Sequence, residues 1–195
     1  MSILLFAGAV QAATVLVFGD SLSAGYGLAR DEGWATLLAR RLETRKPRVH
    51  VVNASVSGET TAGGLTRLPQ LLALHKPAIT ILELGANDGL RGLPVRQSAD
   101  NLRAMIRLAR KQGSQVLLVG MRLPPNYGGA YTRKFQALFG ELAKTEKTPL
   151  VPFLLEGIAA QRERFQADGL HPVAAAQPVL LENVWRGLEP MLPRR

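Results

Sequence analysis

Five apolar runs punctuate the chain, at Thr14–Phe18, Val49–Asn53, Ile79–Leu84, Val116–Met121 and Leu150–Phe153. Each is continuous rather than alternating, the pattern of strands covered on both faces. Segments of helical spacing lie between them. Gly33–Arg45 sets Leu37, Leu38 and Leu42 on one side, and Leu65–Leu74 does the same with Leu65, Leu68 and Leu72. Ser98–Gln112 opposes Leu102, Met105, Ile106 and Ala109 to a solvated face of Arg103, Arg107, Arg110 and Lys111. Ser98 is suited to cap that helix and Gly113 to end it. Ala130–Thr145 and Val173–Leu188 complete the helical set. Strand and helix in alternation predict an α/β fold, a parallel sheet with helices on both faces. With no internal repeat or linker, residues 14–195 read as one domain behind an N-terminal arm, residues 1–13.

The loops that follow the strands differ from those that enter them. Gly19-Asp20-Ser21, Ala54–Thr60, Gly85–Gly89 and Leu123–Gly129 are polar and glycine-bearing, whereas Arg45-Lys46-Pro47 and His75-Lys76-Pro77 read as plain turns. In an open parallel sheet, ligands bind outside the carboxyl ends of the strands, where those four loops gather.

Charge and composition narrow the partners. The formal net charge is +9, but the basic residues are dispersed. The densest group, Arg40, Arg41, Arg45, Lys46 and Arg48, has no interleaved aromatics to stack bases, so no nucleic-acid partner is expected. The excess positive charge suits peripheral contact with an anionic lipid surface. Without cysteine, disulfides and thiolate metal sites are excluded. Ile3–Val10 is apolar but too short to span a bilayer. With Val10-Gln11-Ala12 behind it, the run reads as the remnant of an export signal cleaved after Ala12, although no basic residue precedes it. A periplasmic or secreted protein is the expectation.

The candidate chemistry is nucleophilic. Ser21 follows the first strand, and Asp168-Gly169-Leu170-His171 lies near the other end of the chain. A serine hydroxyl is a weak nucleophile until a base takes its proton. His171 can be that base, with Asp168 one turn away to orient the imidazole. The other histidines, His50 within a strand and His75 in a turn, are poorly placed. Acyl transfer also requires donors for the oxyanion, and the Ser21 N–H, the Gly58 N–H and the Asn87 amide can supply them. Each block has a plainer reading when taken alone: Ser21 as a helix cap, Asp168 as a cap of the last helix, Gly58 and Asn87 as turn formers.

Taken in order, these blocks resemble the SGNH (GDSL-type) hydrolase family, whose nucleophilic serine, oxyanion glycine, oxyanion asparagine and base histidine fall on Ser21, Gly58, Asn87 and His171. Val52–Ser55, Glu83–Gly92 and Pro124–Gly128 are similar to the bacterial multifunctional thioesterase/lysophospholipase branch, with its arylesterases. The resemblance implies a flavodoxin-like three-layer α/β/α sandwich around a five-stranded parallel sheet, no cofactor, no metal, and export. It implies hydrolysis of esters and thioesters (acyl-CoA, lysophospholipid or aryl ester) through an acyl-serine intermediate, and a mobile Gly89–Leu93 loop. That loop and Pro124–Gly129 would wall the acyl pocket, so Leu90, Leu93, Pro124 and Tyr127 are the expected substrate contacts. Two rival functions fit the residues less well. A metal-dependent phosphoesterase would need more histidines than the three present. A non-enzymatic binder of anionic lipid or nucleic acid would have no use for Ser21.

Overall fold

The computed structural model describes residues 13–193 apart from residue 46. The candidate export segment, residues 1–12, and Lys46 of the basic group lie outside the described residues. Among the described residues the sheet has five strands, β1 (Ala13–Gly19), β2 (Val49–Asn53), β3 (Ile79–Glu83), β4 (Gln115–Val119) and β5 (Leu150–Val151). Their order is β2-β1-β3-β4-β5 and every neighbouring pair is parallel. Ala13 belongs to the sheet rather than to the arm, because it pairs with Val49.

The helices are α1 (Ser21–Ala24), α2 (Trp34–Glu43), α3 (Thr61–His75), α4 (Ala86–Leu90), α5 (Val95–Lys111), α6 (Gly129–Thr145) and α7 (Gln177–Leu188). α3, α5 and α6 pack side by side on one face, and α1, α2 and α7 on the other. That covering leaves Val15–Phe18 and Leu117–Val119 without exposed surface, which is why those runs carry no polar alternation. Together the layers form the expected α/β/α sandwich.

Several boundaries differ from the sequence pattern for local reasons. β4 and β5 stop before Met121 and Phe153, which stay buried although the chain has left the sheet. Here Gly120 passes so close to Pro152 that a Cβ would stand 2.6 Å from its carbonyl oxygen. α3 starts at Thr61, ahead of the leucine repeat, because the Thr60 side chain caps it by accepting from the Gly63 N–H. Ser98 is not a cap. α5 begins at Val95 behind Pro94, and the buried Ser98 hydroxyl instead donates to Asp88 Oδ1 at 3.1 Å. The basic face of α5 is likewise not wholly free: Arg107 grips Glu146 with two hydrogen bonds, 3.1 and 2.8 Å, and Arg110 binds the Glu146 and Lys147 carbonyls. Those bonds tie α5 to the end of α6 and hold the Glu146 carboxyl below its ordinary range.

Candidate active site

The carboxyl ends of β1, β2, β3 and β4 open on one cleft of about 620 Å³. β1 delivers Ser21. The strand ends at Gly19, and Asp20 caps α1 by accepting from the Leu22 N–H at 3.0 Å. The cap is therefore Asp20, and Ser21 is the first helical residue. Gly25, at φ 76°, ends α1 after a single turn. The turn is held from below: Asn53 Nδ2 donates to the Ser23 carbonyl at 2.8 Å, and the Ser23 hydroxyl donates to Glu83 at 2.7 Å.

His171 arrives from the other end of the chain. Its loop folds back through a bridge between Phe165 and Pro172 and a bond from the Gln166 N–H to the His171 carbonyl, 2.8 Å. Gln166 Nε2 also donates to the Tyr26 carbonyl at 2.8 Å, joining this loop to the one after α1. Arg162 donates to the carbonyls of Phe165, Gln166 and Ala167, stiffening the segment from outside. The result is a continuous chain of contacts. His171 Nε2 lies 2.8 Å from Ser21 Oγ, and His171 Nδ1 lies 2.7 Å from Asp168 Oδ2. The Tyr26 ring packs on the imidazole, 4.5 Å between centroids.

Asp168 does not cap α7, which starts at Gln177. Its Oδ1 instead accepts from the N–H groups of Leu170 and His171, at 2.9 and 3.0 Å. Partial burial works to raise this carboxyl, but the hydrogen bonds from the His171 ring and from the two N–H groups outweigh it and bring it down to about 2. It stays an anion beside His171 at any working pH, and this fixes the proton on Nδ1 and leaves Nε2 facing the serine.

The three oxyanion candidates converge on the same cleft. Ser21, Gly58 and Asn87 all line it. Among the described residues neither the Ser21 N–H nor the Gly58 N–H has a protein acceptor. Gly58 sits at φ 78°, a backbone conformation that side-chain-bearing residues disfavour, and Arg91 donates to its carbonyl at 3.1 Å. Asn87 Nδ2 donates to the Glu59 carbonyl at 3.0 Å and to Asp20 Oδ2 at 3.2 Å. Its helix is fastened by buried Asp88, which accepts from the Thr61 N–H, the Thr61 hydroxyl and the Ser98 hydroxyl.

Of the expected substrate contacts, Leu90 and Pro124 line the cleft, together with Leu123, Phe153 and Leu155. Leu93 and Tyr127 do not. The Leu93 carbonyl is tied to the Tyr131 hydroxyl at 2.7 Å, toward α6, and Tyr127 stands in a 3-10 turn with over a third of its surface exposed. A larger groove of about 870 Å³ runs between α5 and α6, but neither a serine nor a histidine lines it; the candidate residues line the smaller cleft. The sequence pattern does not single out Tyr26, Gln166, Arg162 or Glu83. Only their position in space marks them, apart from an acid inside an apolar run at Glu83.

The family description "GDSL-like Lipase/Acylhydrolase family" matches residues 17–177. The chain is 51% identical to Esterase TesA of Pseudomonas aeruginosa, over 98% of this chain and 96% of that one. It is 40% identical to Thioesterase 1/protease 1/lysophospholipase L1 of Escherichia coli K12, over 97% and 90%. The crystal structure of TesA superposes with a TM-score of 0.89 at 54% identity, covering 92% of this chain and 99% of that one.

Proposed function

Given that the chain belongs to the GDSL-like lipase/acylhydrolase family and is a serine hydrolase of esters and thioesters, we propose that Ser21, His171 and Asp168 are its catalytic triad. The observation that carries this reading is the unbroken relay from Ser21 Oγ through His171 to Asp168, 2.8 and 2.7 Å.

His171 Nε2 takes the Ser21 proton as Oγ attacks the acyl carbonyl. The oxyanion forms against the N–H groups of Ser21 and Gly58 and the Asn87 amide. Asp168, already ionised, stabilises the imidazolium that results. His171 then passes the proton to the departing alcohol or thiol, which leaves Ser21 acylated. Water gives a proton to the same nitrogen as its oxygen attacks the acyl carbonyl, and His171 returns that proton to Ser21 Oγ as the acyl–serine bond breaks, releasing the acid and the free serine. The acyl chain lies along Leu90, Leu123, Pro124, Phe153 and Leu155, whose apolar surfaces discriminate by chain length. These steps require nothing beyond the chain's own groups and one water.

Substrate and setting complete the proposal. The resemblance to the thioesterase/lysophospholipase branch supports acyl-CoA and lysophospholipid as substrates. Exposed Tyr26 and Leu170 at the cleft, with Arg91 beside Gly58, support an encounter with an anionic lipid surface. The apolar run Ile3–Val10 supports work in the periplasm or outside the cell. Among the described residues no helix is long and apolar enough to cross a membrane.

Ser21→Ala is the test, assayed on p-nitrophenyl esters and acyl-CoA thioesters. Hydrolysis should be lost while the melting temperature is kept, and a serine-directed organophosphate should add its mass to the wild type alone. A folded Ser21→Ala variant with full activity would end the assignment.

A further inference from the structure

Behind the nucleophile lies a pair of carboxyls that the acyl-transfer steps leave unused. Asp20 and Glu83 are both 0% exposed. Among the described residues neither makes an ion pair with a lysine, arginine or histidine. Glu83 ends β3 directly beside Gly19 at the end of β1. Its Oε2 accepts from the Ser23 hydroxyl at 2.7 Å and from the Asp20 N–H at 3.4 Å, while Oε1 has no partner. The carboxyl is wedged beneath the turn: a Cβ on Gly19 would stand 2.6 Å from Oε2. Ser21 lies between the two residues that Glu83 holds.

Asp20 faces the other way, toward the site, with one oxygen on the Leu22 N–H and the other on the Asn87 amide. The charged or titratable groups acting on the pair are His171 from the loop ahead of α7 and Asp88 from α4. β1 and β4, which flank β3, carry no titratable side chain, and α1 contributes the Ser23 hydroxyl. Two buried acids this close, without a cation, are strongly disfavoured as two anions. Burial lifts Asp20 to about 6; burial, and then the Asp20 charge, lift Glu83 well above the ordinary range. An oxygen without a donor is also far less costly on a neutral acid than on a carboxylate.

We propose that Glu83 is a positioning residue for the reaction, a neutral carboxylic acid that pins the Gly19–Ser23 turn and adds no second negative charge beneath Asp20, the carboxylate that Asn87 contacts. The inference rests on the triad and oxyanion assignments above. When Glu83 ionises, a second negative charge appears under the turn. That charge repels Asp20 toward Asn87, and the oxyanion forms against the added repulsion. Turnover must then fall as pH rises, through a group other than the base.

Two measurements test this. In the wild type, labelling glutamate with carbon-13 at Cδ should reveal one glutamic acid that keeps its proton after the other glutamates have ionised, a signal absent from E83Q. The titration reads the proton whether or not Ser21 is the nucleophile, so its failure is distinct from a failure of the triad. In the second, kcat is followed against pH on a p-nitrophenyl ester. E83Q mimics the neutral acid, so it should keep kcat within about threefold at pH 7. The wild type should show an alkaline limb falling about tenfold per pH unit that E83Q lacks. A wild type in which Glu83 titrates together with the other glutamates, or kcat profiles of wild type and E83Q that superimpose, would overturn the proposal. A merely structural Glu83 predicts that superposition.

Discussion

Replacing Asn87 with alanine tests the oxyanion hole with least disturbance to the rest of the site. The amide has two hydrogens, and in the free structure both are committed, to Glu59 O at 3.0 Å and Asp20 Oδ2 at 3.2 Å. It serves the oxyanion by yielding the longer of these bonds. Losing one oxyanion donor costs about 10²–10³ in kcat, roughly 3–4 kcal/mol of barrier. Losing two partly buried resting bonds costs about 1 kcal/mol each in stability. For a chain of this length that lowers the melting temperature by roughly 4–8 °C. Steady-state hydrolysis of a p-nitrophenyl ester should therefore show the fall almost wholly in kcat, with KM within about threefold. Asn87→Asp is the sharper companion. It keeps the shape but sets an acceptor where the donor was, against the Asp20 carboxylate. It should be no more active than Asn87→Ala and less stable. A loss confined to KM would mean that Asn87 positions substrate only, and the oxyanion assignment would fall.

Two further outcomes follow from the same turn. Gly19→Ala places a methyl 2.6 Å from Glu83 Oε2 and 2.8 Å from the Glu83 backbone oxygen. It should cost about 1–3 kcal/mol, read from the urea midpoint, and displace Ser21 enough to depress turnover; an unchanged midpoint would refute the packing argument. Stability against pH should fall from pH 5 to pH 8. Asp20, near 6 when folded against 3.8 otherwise, and Glu83, raised well above its ordinary 4.5, contribute stability that is full in acid and lost as pH climbs through their folded values. Asp168, near 2, acts oppositely, losing its contribution only as pH drops toward 2. Urea unfolding of wild type and Glu83→Gln across this range checks the sign: the variant should be the flatter, and a wild type that gains stability from pH 5 to 8 would refute the assignment.

The strands were legible because burial on both faces removes polar alternation, and a run as short and uniformly apolar as Val15–Phe18 suits little besides an interior strand. Helix starts were less so. Ser98 has every local attribute of a cap, yet its hydroxyl goes to Asp88 across the α4–α5 junction, a partner ten positions away that no periodicity reports. Leu93 and Tyr127 failed as cleft contacts for a related reason. Their loops were rightly placed at the sheet edge, but one carbonyl bond to Tyr131 and one 3-10 turn direct them elsewhere.

From residue types and their order alone came the layered architecture, the candidates for nucleophile, base and acid, and the loops that carry them. These depend on short-range chemistry: strand patterning, turn residues, and an acid three positions from an imidazole. What tertiary structure decided is the state of those groups. Asp20 and Glu83 are ordinary acids in the linear chain, and so is Asp168. Burial without a cation lifts the first two, and donated hydrogen bonds lower the third. Solvent exclusion and partner distance are properties of the folded interior, so no reading of neighbours along the chain contains them.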